Sequence, residues 1–179
     1  SHTLISLLPS REAWPHSSLV HMFDLLMEHY NPNGSFHVGT TVGVPSVSEL
    51  VKRLAVAQQQ EKPVLILGTT LSHMYAVDND GNHDLALPPG SFILETGGTK
   101  NQTDHEPDGA RLQKFLQSYG IPVDQVIIEY GMAELGSQAY GRQNAEGTNT
   151  NSRPTLQFPP WVLCSTLDPD TLRPVKIGE

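Results

Sequence analysis

Short apolar runs and amphipathic stripes alternate along most of the chain. Short, mainly apolar runs predict strands at 4–8, 64–67, 91–95 and 126–128, with a shorter one at 36–38, and the continuous run 64–67 is typical of a strand covered on both faces. Between them, apolar residues recur at helical spacing, in the sets Leu19, Met22, Phe23 and Leu26; Val47, Leu50, Val51 and Leu54; and Leu112, Phe115, Leu116 and Tyr119. Strands that alternate with helices predict an α/β fold with a largely parallel sheet flanked by helices.

Capping and turn residues indicate where these elements begin and end. Ser17 is placed to start the first helix, 46–49 has the capping-box pattern at the second, and Gly120 ends the third. A helix or turn is expected after 64–67. The acidic run 78–82 is similar to a calcium loop, but its glycine comes too early and no closing glutamate follows, so we interpret it as a turn.

The last quarter of the chain differs in composition from the rest. The residues from Gln138 to Pro154 are rich in Gly, Asn, Thr and Arg, which is typical of a mobile loop. Apolar runs at 161–164 and 175–177, separated by turn residues, predict a hairpin that begins a small antiparallel β element. We therefore expect an α/β unit over 1–155 and the start of a β unit over 156–179. The sequence begins within an apolar run and ends without a polar tail, so we expect the chain to be part of a longer protein.

Composition restricts the partners and the compartment. The 179 residues carry a formal charge of -8, which disfavours nucleic acid and anionic membrane surfaces as partners. We find no run long enough to span a membrane and no signal peptide, so we expect a cytoplasmic protein. The single cysteine, Cys164, excludes an internal disulfide, and we expect it to be buried in an apolar strand. The histidine spacing gives no metal site; we examined His73 as a pocket residue, with surface exposure the favoured state.

Two glycine-containing turns follow two neighbouring predicted strands, and their carboxyl ends should share one crevice. A tyrosine can stack on a nucleobase, glycines admit phosphate oxygens, and a carboxylate can hold Mg²⁺ beside them, so the pattern points to ATP. The Walker spacing is absent, and ordinary turns, with Glu134 capping a helix, remain the alternative. The candidate residues are Gly97, Gly98 and Thr99 in the first turn, and Glu129, Tyr130, Gly131, Met132, Ala133 and Glu134 in the second.

With these segments placed, the chain resembles the adenylate-forming superfamily of acyl-CoA synthetases, peptide-synthetase adenylation domains and firefly-type luciferases, and within it the LuxE-type acyl-protein synthetases. The segment 130–134 is similar to the superfamily motif Tyr-Gly-x-Thr-Glu. Four further segments resemble the LuxE branch: Ser6-Leu7-Leu8-Pro9-Ser10, Ser17-Ser18-Leu19, Glu95-Thr96-Gly97-Gly98-Thr99-Lys100 and Leu135-Gly136-Ser137-Gln138.

The resemblance implies that ATP and a carboxylic acid, fatty in the LuxE type, give an acyl-adenylate whose acyl group passes to a thiol. By this resemblance the unit 1–155 is nucleotide-binding, Tyr130 stacks on adenine, Gly97 and Gly98 line the adenine pocket, and Glu134 binds Mg²⁺. An acyl reductase is an expected partner. Ala133 departs from the motif, because threonine usually stands at its position.

The resemblance also implies parts that lie outside this sequence: a Thr/Ser-Gly-rich loop before Ser1, a ribose-binding aspartate after Glu179, and a C-terminal domain with a catalytic lysine and the acyl-accepting cysteine. We therefore expect no complete set of catalytic residues here, no turnover by the chain alone, and no acceptor role for Cys164. Two alternatives stay open: a ligase of the phenylacetate-CoA ligase kind, which transfers its acyl group to coenzyme A, and a noncatalytic α/β binding module.

Overall fold

In the described part of the chain, one six-stranded sheet is flanked by four helices, and the predicted α/β class is confirmed. The computed structural model describes residues 2–81, 84–97, 108–142 and 155–175. The strands are β1 Thr3–Ser6, β2 Ser35–His37, β3 Val64–Thr69, β4 Phe92–Thr96, β5 Val126–Gly131 and β6 Gln138–Arg142. The helices are α1 Ser18–Tyr30, α2 Val47–Gln59, α3 Thr70–Asp78 and α4 Asp108–Tyr119.

The strand order β2-β1-β3-β4-β5-β6 decides which face each helix covers. All pairs are parallel except β5 with β6. The chain steps in one direction from β1 to β2 and in the opposite direction from β2 through β5. Because crossovers between parallel strands are right-handed, reversing the step moves the connecting helix to the other face. Helix α1 therefore packs on one face, and α2, α3 and α4 pack on the other.

The two hydrophobic cores follow this division. The larger core joins the α2–α4 stripes to strand residues that include Ile5, Ile66 and Ile93. The smaller core joins Val20, Phe23 and Met27 of α1 to alternate residues of the same strands, among them Leu4, Leu67 and Leu94. Both faces of the central strands are thus covered, which explains why their sequences are apolar without alternation.

The predictions for the last quarter of the chain need correction. Residues 138–142, predicted as part of a loop, form β6, because antiparallel pairing with β5 satisfies their backbone groups. The predicted strand 161–164 is not formed; a single bridge joins Leu167 to Pro174 instead. The remainder of the predicted loop and residues 176–177 lie outside the described residues. The division of the chain near residue 155 stays a prediction.

Local capping follows the predictions in part. The Ser17 hydroxyl accepts a hydrogen bond from the Val20 N–H and caps α1 as expected. Ser46 is the N-cap of α2, but its side chain makes no cap hydrogen bond. Glu49 binds Arg53 one turn later in the helix, so the predicted capping box does not form. Among the described residues, no helix combines the length and apolarity needed to cross a membrane.

His73 is fully buried, contrary to the expected surface exposure. Its Nε2 lies 3.1 Å from the Leu94 carbonyl, and its Nδ1 lies 3.1 Å from the Tyr119 hydroxyl. Since a carbonyl only accepts, Nε2 carries the proton and Nδ1 accepts from Tyr119. Burial lowers the pKa of the imidazole below its ordinary value of 6.5, and the neutral ring joins α3, β4 and α4.

We expect acid to destabilise the protein through His73. Its pKa is lower in the folded than in the unfolded chain, so its stabilising effect is complete above the unfolded value of 6.5 and declines as the pH falls below that value. The decline is about 1.4 kcal/mol per pH unit until the folded pKa is reached. Urea unfolding across this range measures it. The double variant His73→Leu/Tyr119→Phe should lose this component, and an unchanged slope in that variant would contradict the assignment.

Candidate functional site

The carboxyl ends of β4 and β5 meet at one edge of the sheet. Thr96 pairs with Glu129 in the parallel register of these strands. Gly97 and Tyr130 come directly after this pair, on strands whose axes are about 4.8 Å apart. The first predicted turn therefore begins at Gly97 beside Tyr130, but the predicted Tyr-Gly turn is wrong in its position, because Tyr130 and Gly131 still belong to β5 and pair with β6. Because side chains alternate along a strand, the Tyr130 side chain lies on the same face of the sheet as Ile128, which is the face covered by α3 and α4.

Gly97 leaves the sheet in a conformation that favours glycine. Its φ is +70°, in the left-handed region, and no heavy atom of the described residues lies within 4 Å of the position that a Cβ would occupy. The backbone is thus open to a ligand beside the end of β4. The Gly97 carbonyl accepts a hydrogen bond from the Thr70 hydroxyl at 3.0 Å, which ties this turn to the start of α3.

Tyr130 presents an accessible aromatic ring next to this open space. Its relative exposure is 42%, and its ring contacts Phe158 edge-on at a centroid distance of 6.3 Å. The hydroxyl lies 3.7 Å from the Met132 sulfur, and Met132 is itself exposed. In this T-shaped contact Phe158 covers at most one face of the Tyr130 ring, so it leaves the other face for stacking on a planar group.

Two buried carboxylates support the edge from opposite faces of the sheet. Glu129 accepts a hydrogen bond from the Thr96 hydroxyl. The pKa of the Tyr140 phenol is raised, first by the partial burial of Tyr140 and second by the negative charge of Glu129. On the other face, Glu95 accepts from Thr70 at 2.6 Å and lies 3.4 Å from the Arg111 guanidinium.

Sequence reasoning missed the role of Glu95 and Thr96. The signal that could have revealed it is a polar residue at the end of an otherwise apolar strand.

The second turn continues into a short 3₁₀ segment, Ala133–Leu135, that ends at Gly136. Glu134 is exposed there, so its carboxylate is accessible to a metal ion. Among the described residues, no three potential ligands cluster into a metal site. Glu134 could hold Mg²⁺ together with the phosphate oxygens of a bound nucleotide, as in nucleotide sites that use one or two carboxylates.

Some predicted site residues cannot be placed. Gly98 and Thr99 lie outside the described residues, as does Lys100, and the side chain of Ala133 is not described. Gly97, Glu129, Tyr130, Gly131 and Met132 are placed, and they lie together at the β4–β5 edge. The predicted burial of Cys164 is wrong, because this thiol is exposed.

An apolar crevice occupies the α1 face of the sheet, and sequence reasoning did not find it. Its volume is about 850 Å³. Leu67, Leu94 and Ile127, which lie in one row across β3, β4 and β5, form part of its floor. Tyr30 and Leu26 of α1 form one wall, and the opposite wall comprises Tyr140, Gly141, Arg142, Thr155 and Gln157. The crevice exists because α1 alone covers this face among the described helices.

The crevice approaches the carboxyl edge at Tyr140. Tyr140 pairs with Glu129 across β5 and β6, and Glu129 pairs with Thr96. This polar row lies two residues beyond the apolar row of Leu94 and Ile127, on the same face. The buried residues Thr96 and Glu129 therefore separate the crevice from the edge at which Gly97 and Tyr130 lie.

Comparison with models of known protein families gave no match, and searches of curated proteins and of solved structures also gave no significant match.

We expect Thr96→Val to destabilise the protein, because it removes the hydroxyl that donates a hydrogen bond to the buried Glu129 carboxylate. An unsatisfied buried acceptor costs about 1–3 kcal/mol, more if it is charged. Thr96→Ser is the matched control, since it keeps the hydroxyl and should retain most of the stability. The free energy of unfolding in urea measures both variants, and equal losses in the two would show that the hydrogen bond is unimportant.

Proposed function

We propose that this chain is the nucleotide-binding part of an ATP-dependent acyl-activating enzyme of the LuxE kind. It would join a long-chain fatty acid to AMP and pass the acyl group to a thiol. The observation that carries the proposal is the adjacency of Gly97 and Tyr130, which follow the paired residues Thr96 and Glu129 at the carboxyl ends of two parallel strands. Open α/β sheets bind ligands at this edge.

The adenine fits between these two residues. Tyr130 offers an exposed ring face for stacking, and the open space beside Gly97 admits a planar base close to the backbone. The exposed carboxylate of Glu134 follows on the same turn, where it can hold Mg²⁺ against the phosphates. Bound Mg²⁺ would neutralise phosphate charge during the reaction.

The acyl chain fits the crevice on the α1 face. Pockets for small molecules commonly measure about 300–1,000 Å³, and the crevice, at about 850 Å³, is large for one aromatic ring and suitable for a long alkyl chain. Its floor of Leu67, Leu94 and Ile127 removes methylene groups from water. This argument favours a fatty acid over the aromatic acid of the phenylacetate-CoA ligase alternative.

The nearness of the crevice to the carboxyl ends of β4 and β5 supports a reaction between the two reactants at this edge. With its chain beside Leu94 and Tyr140, the acid presents its carboxylate toward the end of β4. A carboxylate oxygen attacks the α-phosphorus of ATP, the bond to the β-phosphate oxygen breaks, and pyrophosphate leaves. The resulting acyl-adenylate then gives its acyl group to a thiol, and AMP leaves. An acyl reductase is a suitable consumer of the thioester.

Removal of the Tyr130 ring should weaken Mg-ATP binding. Loss of base stacking costs about 1–3 kcal/mol, which corresponds to about 5- to 150-fold in the dissociation constant. Isothermal titration calorimetry of Tyr130→Ala against the unchanged protein measures this loss. Tyr130→Phe should bind nearly normally because the stacking face is kept, and Tyr75→Ala, which removes another partly exposed tyrosine, on α3, should have no effect. Equal affinity of Tyr130→Ala and the unchanged protein would contradict the site.

Fatty acid affinity should rise with chain length until the crevice is filled. Each buried methylene group contributes about 0.8 kcal/mol, or about fourfold in affinity. We expect Ile127→Phe, which places extra volume in the crevice, to shift the preference to shorter acids. Val56→Phe is the control, because Val56 is exposed on α2 and lies away from the crevice. Calorimetric titration with saturated acids of increasing length tests this, and an affinity that does not depend on length would exclude the crevice as the acyl site.

A further inference from the structure

Residues 161–166 form a segment without charged side chains, in which Val162 is half-buried and the other residues are exposed. The exposed fractions are 78% for Trp161 and 93% for Leu163. The types Trp, Val and Thr in this segment favour a β-strand. Apolar residues that cluster on a surface indicate an interaction site.

The backbone of this segment is largely unpaired. Among the described residues, its only backbone hydrogen bonds are from Val162 N–H to the Pro159 carbonyl, at 3.0 Å, and from Val175 N–H to the Thr166 carbonyl, also at 3.0 Å. No other described residue pairs through its backbone with the remaining N–H and C=O groups of the segment. A strand-forming segment with free backbone groups is a template for strand addition.

Structural features on both sides limit the length available for pairing. Pro159 and Pro160 precede the segment, and proline cannot donate to a strand ladder. After the segment, Asp168 closes a turn: its N–H donates to the Arg173 carbonyl at 2.9 Å, and its Oδ1 accepts from the Thr171 N–H at 2.7 Å. The segment thus lies between two fixed ends, although it is not part of a strand in the structure.

We propose that segment 161–166 pairs in antiparallel fashion with the same segment of a second copy of this chain. An antiparallel pair has two-fold symmetry, so a segment can pair with itself without a different complementary partner. With Leu163 opposite Leu163 of the second copy, Trp161 lies opposite Ser165. Trp161 and Leu163 share one face of the strand, so the pair gathers four large apolar side chains on one side.

Charge favours a second copy at this position. The chain carries a formal charge of -8, so most approaches of two copies bring like charges together. The segment 155–167 contains no charged residue, and two copies can meet there without this repulsion. The pairing does not use the residues of the proposed ATP site, so it is independent of that function.

The mass in solution is the first test. Sedimentation velocity should show a species of twice 19.6 kDa whose population rises with protein concentration. Leu163→Ser should shift the equilibrium to the monomer, and Leu163→Pro, which also removes a ladder N–H, should do so more strongly. Val42→Ser is the matched control, since it removes another exposed apolar side chain, one with 80% exposure, outside the segment. A protein that is monomeric throughout, or one whose dimer survives both Leu163 variants, would overturn the proposal.

The single cysteine supplies a second test that needs no mutation. Cys164 is exposed within the segment, so a nitroxide spin label attached to it reports on the contact. In the proposed register the two Cys164 residues are diagonal neighbours, about 7–8 Å apart between Cα atoms. The continuous-wave spectrum should show dipolar broadening that disappears when labelled protein is diluted with unlabelled protein. A dimer whose spectrum is unbroadened would contradict the proposed pairing.

Discussion

The handedness of the crossover connections is the constraint on which this structure depends. The chain leaves β1 toward one edge of the sheet, returns past it to β3, and continues to β5. Right-handed connections then require α1 to lie on the face opposite α2, α3 and α4. One face receives three helical stripes and the larger core, and the other receives one helix and retains a crevice. Parallel pairing places the carboxyl ends of β3, β4 and β5 at the same edge.

The central part of the fold could be predicted because its elements carry local signals. Residues 64–67, 91–95 and 126–128 are apolar enough to indicate buried strands, and the α1, α2 and α4 stripes have helical spacing. Strand β6 carries no comparable signal, since Gln138, Gly141 and Arg142 resemble loop residues. Its structure comes from β5 on one side and from the Tyr140–Gln157 bridge on the other. Pairing between distant residues therefore decided this element.

Only the part of the candidate site that lies at the carboxyl edge of the sheet could be predicted from the sequence. The adjacency of Gly97 and Tyr130 follows from the general rule that parallel strands align their carboxyl ends. The crevice combines residues of α1, five strands and the 155–157 segment, and no local pattern marks such a combination. The burial of His73 was missed for the same reason, because its two hydrogen-bond partners are 21 and 46 residues away in sequence.

The Thr70 hydroxyl lies within hydrogen-bond distance of two acceptors, the Glu95 carboxylate and the Gly97 carbonyl. A hydroxyl has one hydrogen to donate, so these acceptors compete for it. When the hydroxyl donates to Glu95, the bond between α3 and the Gly97 turn is weakened. When it donates to the Gly97 carbonyl, Glu95 depends more on Arg111. The Thr70 hydroxyl thus connects the start of α3 to the end of β4.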